Sequence, residues 1–434
     1  MKLKKMIKSQ PPARIIAFGF AITILVGSGI LMLPISLNDG IELKYIDALY
    51  TATSAVCVTG LVTVDTANTF TVFGRFVIAV LIQIGGLGVA SLGAGMIIAM
   101  GKKVNIKNRT IVREALNLNS GKGIVTLIKD IFSTTIVFEL FGAILSFVTF
   151  SKKFSFGKAV GVSLFHSIAA FNNSGFDILG DFKSLSNYKD DVYLNLVTCF
   201  LIIMGGIGFL VIKEVREKKF KWKKFSMHSK VVISVSAALI VVGTLLLKCT
   251  ENITWLGALL NSVSARTAGF STYSLGDFSN AGLLVMIVLM FIGASPGSTA
   301  GGIKTTTIFV LFQGLKSAAT NKSEKAFNYS IPKNAFKKAA VVTVLGVTVV
   351  LVGSFLMSVF EPQLNLKDIV FEVVSAYATV GDSTGITVSL STLSKLLSMI
   401  IMFIGRLGPM TIVTLWYFSR GERVSYPQGN ISIG

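Results

Sequence analysis

Eight long apolar runs are the feature that most constrains how this chain can fold. Six of them carry no charge, and two carry one charge near the middle, Glu139 and Arg406. The runs are 15–38, 76–101, 131–151, 192–212, 231–247, 278–303, 339–360 and 396–419. About 20 apolar residues cross a bilayer as a helix, so all eight qualify, although 231–247 only just does. With 52% hydrophobic and 14% charged residues, the chain is predicted to be an all-α polytopic membrane protein.

A shorter apolar segment, broken by a glycine, lies between the two runs of each pair. Such a segment is too short to cross a bilayer, so it predicts a helix that enters the membrane and returns as a loop. Glycine permits the backbone conformations that let successive carbonyl groups point at an ion. A single glycine is equally explained by close helix packing, but four in register favour four walls of one pore. The breaks are Val58-Thr59-Gly60, Asn173-Ser174-Gly175, Thr267-Ala268-Gly269 and Thr379-Val380-Gly381.

The pattern of run, broken segment and run divides the chain into four repeats. A second glycine cluster follows each loop glycine by 25, 30, 24 and 24 residues, beginning at Gly85, Gly205, Gly293 and Gly405. Each repeat crosses the membrane twice, so the repeats are expected to be parallel and to form a pseudo-fourfold ring around one pore, unlike the inverted repeats of many carriers. The predicted divisions are a basic N-terminus at 1–14, repeats at 15–101, 102–212, 213–315 and 316–419, and a C-terminal tail at 420–434.

The distribution of charge predicts the orientation in the membrane. The net charge is +20, but the basic residues are concentrated in the two termini and in every second connection. The segments 1–14, 101–130, 213–230, 316–338 and 420–434 hold 28 Lys and Arg against 6 Asp and Glu. By the positive-inside rule these segments face the cytoplasm, so both termini are predicted to be inside. This placement fits anionic membrane lipid and excludes nucleic acid as the reason for the charge.

The third repeat is too long for a straight span. Its second helix is expected to continue from 278 to about 315, which at 1.5 Å per residue is nearly twice a bilayer core. The segment "GASPGSTAGG" at 293–302 should therefore break the helix at membrane depth, where irregular backbone is tolerated beside a cavity or inside protein. The alternative is a simple packing kink at Pro296.

Two cations lie near this break. A charge near the middle of a span costs about 3 kcal/mol, so Arg406 should face a cavity or a partner. Its candidate partners are the carbonyl and hydroxyl groups of 293–302 or, alternatively, Glu139. Lys304 is expected to extend toward the cytoplasm.

Acidic residues follow the glycine loops. Asp177 and Asp382 lie close enough to their glycines to raise the local cation concentration at an outer mouth, although ordinary polar turns would explain them as well. Arg266 precedes the third loop, and we expect it to brace that loop from behind, because a cation facing the ion would oppose permeation.

The four loops, the segment 293–302 and the "GRLGP" sequence around Arg406 resemble the Trk/Ktr/HKT superfamily of potassium transporters, most closely its KtrB membrane subunit. The resemblance covers nearly the whole chain. It implies potassium uptake, with potassium at Gly60, Gly175, Gly269 and Gly381. Gly60 favours potassium over sodium, since plant members with serine there are associated with sodium permeation. The implied filter residues are Cys57, Val58, Thr59, Gly60, Asn172, Asn173, Ser174, Gly175, Arg266, Thr267, Ala268, Gly269, Ala378, Thr379, Val380 and Gly381.

The resemblance also implies a gate and partners. The gate is an intramembrane loop held by Arg406, comprising Gly293, Ala294, Ser295, Pro296, Gly297, Ser298, Thr299, Ala300, Gly301 and Gly302. The implied partners are a second copy of the chain, with the tail 425–434 at the dimer contact, and a cytosolic ring of RCK domains. Nucleotide, either ATP/ADP or NAD, would act only through that ring, and no cofactor is expected in this chain. The implied location is the plasma membrane.

Two other functions remain to be weighed. A sodium-permeable or ion-coupled transporter of the same fold fits the same features. A membrane-embedded enzyme would need converging acids, bases or a nucleophile, and no Walker loop, HExxH or GxSxG motif is present. The spans offer only Glu139, Lys304 and Arg406, in different repeats, so an enzyme is disfavoured.

Overall fold

The computed structural model describes residues 10–101, 104–115 and 123–416. Within these ranges the protein is mostly helical, with one small antiparallel hairpin of Lys325–Ala326 and Tyr329–Ser330. Helices long and apolar enough to cross a membrane alone number four in this part of the chain. These long helices 1 to 4 are Pro12–Leu31, Ile124–Phe150, Met227–Thr250 and Ala335–Phe360.

The long helices coincide with the first run of each predicted pair. They expose large apolar side chains such as Phe18, Ile144 and Phe355, with exposed fractions of 62%, 68% and 68%, as expected for helices that face lipid. Each also carries one glycine at which a Cβ atom would come within 2.8 Å of a Leu or Ile of a neighbouring helix. These glycines let a later helix of the same repeat, called an inner helix below, pack closely against the long helix. They are Gly27, Gly142, Gly243 and Gly353.

Short helices and inner helices follow each long helix in turn. Short helices 1 to 4 are Tyr45–Cys57, Phe156–Phe171, Trp255–Ser264 and Leu366–Ala378. Inner helices 1 to 4 are Val72–Leu87, Val192–Gly206, Asn280–Phe291 and Thr392–Leu407. Each inner helix begins after a residue whose side chain accepts a bond from a backbone N–H of the first turn, which is the usual N-cap arrangement. The caps are Thr71, Asp191, Ser279 and Ser391.

Inner helices 1 and 2 do not continue straight through the apolar runs 76–101 and 192–212. Inner helices 1 and 2 end at glycine clusters, and the chain then turns by 97° and 98° into Val89–Ala99 and Phe209–Lys218. The turning glycines have positive φ, 80° at Gly88 and 95° at Gly208, and Gly408 after inner helix 4 has φ 85°. A run of apolar residues hides such a turn, because a glycine that ends a helix scarcely changes the hydropathy.

The other elements are short connections. Helices follow inner helices 3 and 4 at Thr305–Thr320 and Pro409–Trp416, and two more lie at Thr66–Thr69 and Ile106–Ala115. Single 3-10 turns lie at Pro34–Ser36, Ser186–Tyr188, Trp222–Lys224, Leu275–Asp277 and Ile386–Ser389. The core lies among the short and inner helices, where Tyr50, Phe270 and Tyr377 are fully buried.

Candidate functional site: a ring of four glycine loops

The four predicted loops share one backbone conformation. In each loop the residue two before the glycine has a positive φ, which is uncommon for a residue with a side chain. These residues are Val58, Asn173, Thr267 and Thr379, with φ 58°, 58°, 81° and 52°. The glycines themselves have φ 95°, 67°, 75° and 99°. We call 58–60, 173–175, 267–269 and 379–381 glycine loops 1 to 4.

The four glycines contact one another in a closed circuit. A Cβ atom on Gly60 would lie 2.3 Å from the carbonyl oxygen of Ser174 in loop 2. The corresponding distances are 2.7 Å from Gly175 to Ala268, 2.2 Å from Gly269 to Val380, and 2.3 Å from Gly381 to Thr59 in loop 1. Each loop therefore presents a carbonyl oxygen to the glycine of the loop before it, and a side chain at any of these positions would crowd that oxygen.

Hydroxyl groups of the short helices hold three of the loops. The backbone N–H of Gly60 donates to Ser54 Oγ at 3.0 Å, and that of Gly381 donates to Ser375 Oγ at 3.1 Å. In the third loop the N–H of Phe270 donates to Ser264 Oγ at 2.6 Å. Because the serines use up these N–H groups, the electropositive donors are directed away from the space enclosed by the loops. The C-terminal ends of the short helices add partial negative charge there.

The first predicted position of each filter segment, at Cys57, Asn172, Arg266 and Ala378, is buried. The side chain of Asn172 is not directed at the ring: its Nδ2 donates to Gln83 Oε1 at 2.9 Å and to Glu139 Oε1 at 2.8 Å. The Asn172 amide is therefore bound by groups behind the loop, which leaves the predicted role in the filter to its backbone. Arg266 is 6% exposed and its Nε has no hydrogen-bond partner in the described chain.

A cavity of about 460 Å³ lies on one side of the ring. All four loop glycines line it, together with Asp177 and Asp382. Asp177 Oδ1 accepts a bond from the N–H of Leu179 at 2.9 Å. The structure thus brings the two predicted mouth carboxylates to one cavity beside the four glycines. We call it the outer cavity.

The segment 293–302 lies against the glycine loops and interrupts the helix as predicted, between Phe291 and Thr305. A Cβ atom on Gly301 would clash with the side chain of Thr379 in loop 4. A Cβ atom on Gly293 would lie 3.2 Å from Cγ2 of Thr267 in loop 3. Thr299 Oγ1 lies 3.3 Å from both Phe171 O and Gly205 O. The backbone N–H of Ser295 donates to Gly206 O at 3.0 Å. This is an extended, hydrogen-bonded segment and not a kink at Pro296.

Arg406 joins the segment to two inner helices. Its Nη1 donates to Thr299 O and its Nη2 donates to Gly85 O, with a further bond to Gly86 O at 3.3 Å. The predicted partnership with the segment is therefore present, and the alternative pair with Glu139 is not formed. Three carbonyl acceptors satisfy a guanidinium that would otherwise be costly to bury.

Lys304 is bound to the segment itself: its Nζ donates back to Ala300 O at 2.7 Å and to Gly301 O at 3.0 Å. Lys304, Arg406 and Ser298 line a second cavity of about 780 Å³, which we call the inner cavity. The segment 293–302 thus forms a wall of the inner cavity and also contacts the glycine loops.

Comparisons with known proteins give the family. The family model TrkH, described as a cation transport protein, matches residues 17–239 and 230–422. The chain is 38% identical to the Ktr system potassium uptake protein B of Bacillus subtilis, over 100% of this chain and 99% of that protein. It is 37% identical to the potassium/sodium uptake protein NtpJ of Enterococcus hirae, over 99% of both chains. This chain belongs to the Trk/Ktr superfamily.

Membership in the Trk/Ktr superfamily, close to KtrB, makes the chain a multi-pass plasma-membrane transporter and not an enzyme. The crystal structure of the potassium transporter TrkH from Vibrio parahaemolyticus matches with a TM-score of 0.75 at 19% identity, covering 93% of this chain and 85% of that one. At this identity the match supports the fold alone. The Trk/Ktr fold therefore accounts for the long, short and inner helices described above.

One buried residue of this Trk/Ktr chain, Glu372, was not predicted from the sequence. Glu372 is fully buried in short helix 4, where it accepts a bond from Ser383 Oγ at 2.7 Å and another from Thr387 Oγ1. It ties the segment after loop 4 back to the helix before it. A lone acid in the apolar sequence "FEVVSAYA" was the available signal, since buried ionisable groups in membrane segments are rare.

Proposed function

We propose that this Trk/Ktr chain takes up potassium across the plasma membrane through the ring of glycine loops. The observation that carries the proposal is the closed circuit in which each of the four glycines meets a carbonyl oxygen of the next loop. Carbonyl oxygens replace the water shell of potassium in known filters. Four parallel repeats in a pseudo-fourfold ring, with eight spans and both termini in the cytoplasm, would enclose one axial path through this circuit.

Sodium is the competing cation. The Enterococcus relative is named for potassium and sodium, whereas the Bacillus relative is named for potassium. Gly60 has a positive φ and no room for a Cβ atom, which keeps the ring free of side chains at the position where serine would admit sodium. We infer that potassium is the preferred ion. An ion-coupled mechanism remains the alternative to a channel.

We further propose that 293–302 and Arg406 form the gate. The segment contacts loops 3 and 4, bonds to inner helix 2, and borders the inner cavity on its other side. A potassium ion that leaves the ring would have to pass it.

Regulation is proposed to come from outside the chain. The segment 213–230 carries eight Lys and Arg, and it contains Lys218, Lys219 and Lys221, to which a cytosolic RCK ring could dock. Its nucleotide state would then act on 293–302. The tail 425–434, proposed to stabilise a homodimer, lies outside the described residues. Charge reversal at the three lysines should weaken a co-purifying RCK complex without changing ion selectivity, and deletion of 425–434 should yield monomers by light scattering.

Rubidium uptake into liposomes that hold the purified chain tests the proposal. We expect potassium to inhibit rubidium uptake strongly and sodium to inhibit it only weakly. Two single variants, Gly60→Ser and Gly381→Ser, are measured in the same way, and each should lose this discrimination between potassium and sodium. If wild-type liposomes take up no more rubidium than empty ones, the proposed function is wrong. Unchanged selectivity in both variants would instead overturn the filter assignment.

A further inference from the structure

Asp382 is a buried acidic residue beside the glycine ring. It follows Gly381 directly, is 3% exposed, and lines the outer cavity. Its Oδ2 has no hydrogen-bond partner in the part of the chain that the structure describes. An ionised carboxylate removed from water without a partner is strongly destabilised. A cation in the outer cavity would offset this cost.

The backbone on both sides of Asp382 is held in place. The N–H of Gly381 is bound to Ser375 Oγ, and Ser383 Oγ donates to Glu372 Oε2 at 2.7 Å. Ser383 Oγ in turn lies 2.9 Å from Thr387 Oγ1. Short helix 4 therefore fixes the residues before and after Asp382. Asp382 therefore lines the outer cavity on backbone that is held on both sides.

The described residues that line the outer cavity offer no free basic side chain to pair with Asp382. Among the residues that line the outer cavity, Lys183 is the basic one, and its Nζ is bound to Asp181 Oδ2 at 3.1 Å. The other lining carboxylate, Asp177, adds a second negative charge to the same cavity. The electrostatic field in the outer cavity therefore favours a mobile cation.

We propose that Asp382 forms a second binding site for a partly dehydrated monovalent cation, in the outer cavity directly beside the glycine ring. The inference rests on the proposed function, because it places this site on the same ion path. A divalent ion is disfavoured, since within the described ranges no three His, Cys, Asp or Glu residues come together as a metal site. One carboxylate with neutral oxygens suits a potassium-sized ion that must also leave.

Loss of the Asp382 charge should change the apparent affinity for potassium but not the selectivity for potassium over sodium. An ion held at Asp382 supplies the ring, so losing the charge should raise the potassium KM. The carbonyl circuit chooses between potassium and sodium, so selectivity should not change. A diffuse surface charge would also raise the KM, but its effect would vanish at high ionic strength because exposed charges are screened.

The test is rubidium and potassium uptake by Asp382→Asn, which keeps the shape and removes the charge. We expect the KM to rise roughly tenfold, with the maximal rate within a factor of about two and the potassium-to-sodium ratio unchanged. The rise should persist when N-methylglucamine chloride is added. Asp190→Asn, an exposed acid outside the cavity lining, is the matched control and should leave the KM unchanged.

A second measurement does not depend on transport. Potassium chloride, at constant ionic strength, should raise the melting temperature of the purified wild-type chain at lower concentration than that of Asp382→Asn. If wild type transports rubidium but the two proteins share one KM and one melting response, Asp382 carries a proton and no cation, and this inference is wrong. If wild type transports nothing, the proposed function itself fails.

Discussion

Lys395 Nζ lies 2.7 Å from Asp47 Oδ1, a contact between residues 348 positions apart. This contact joins inner helix 4 to the first turn of short helix 1. A negative charge there also interacts favourably with the helix dipole. Nearby, Tyr50 OH lies 3.1 Å from Ser398 Oγ. These contacts close the seam between the last and the first helices of the core, so the glycine circuit from Gly381 back to Gly60 depends on them.

We predict that Asp47→Asn lowers the stability of the protein. The two side chains are only 11% and 12% exposed, and removal of one member of a largely buried pair costs about 3 kcal/mol. The melting temperature of the detergent-solubilised variant measures the loss. The exposed pair of Lys183 and Asp181, with exposed fractions of 52% and 66%, is the control, and Asp181→Asn should change stability little. Equal losses in both variants would contradict a special role for the seam.

A second prediction concerns space at the ring. Gly175→Ala should lower transport and stability, because its Cβ atom would lie 2.7 Å from Ala268 O and its φ of 67° is strained for alanine. Gly161→Ala in short helix 2 is the control, since a Cβ atom there meets nothing within 4 Å. We expect near wild-type rubidium uptake from the control. If both variants behave alike in uptake, the crowding argument does not hold.

The sequence was sufficient to locate the glycine loops, because the TVG-like breaks recur at similar positions after each long run. It was also sufficient for the interruption at 293–302, since a helix from 278 to 315 exceeds the bilayer. Arg406 could be paired with that segment by the cost of burying its charge. These inferences depend on lengths and on charge burial, both of which can be read directly from a sequence.

Other features depend on contacts between distant residues. The Asn172 amide donates to Glu139, 33 residues earlier and on a different helix, and the spacing of the loops does not reveal such a contact. The sharp turns at Gly88 and Gly208 arise from positive φ angles, which an apolar run does not reveal.

The gate gives a third prediction. Arg406→Gln should raise basal rubidium flux, because it removes the charged donor that holds Thr299 O and Gly85 O. Thr299→Val should raise it as well, since its hydroxyl bonds to Phe171 O and Gly205 O would be lost. Arg406→Lys keeps the charge but cannot reach both carbonyls, so intermediate flux is expected. Equal or lower flux from normally expressed Arg406→Gln would count against a gate.

The last prediction is a pH dependence at Glu214, which lies beyond the turn at Gly208 and outside the spans. Burial alone would raise the pKa of this carboxyl, but hydrogen bonds from Lys218, Ser229 and Ser226 lower it to about 2. The backbone N–H of Ser226 donates to it at 2.8 Å.

A carboxyl with a depressed folded-state pKa stabilises the fold above its unfolded value near 4.5, and this contribution is lost as the pH falls toward 2. Glu214→Gln should therefore lower the melting temperature at pH 7, and the difference from wild type should shrink as the pH falls below 4.5. Melting curves of both proteins from pH 7 to pH 3 measure it. Glu217→Gln is the control. The Glu217 side chain is 58% exposed, and its ion pair with Lys213 is long, at 3.9 Å. The melting temperature of this variant should therefore differ little from that of wild type at any pH. A constant gap between wild type and Glu214→Gln across this range would show that the lost contacts, and not the charge, stabilise this turn.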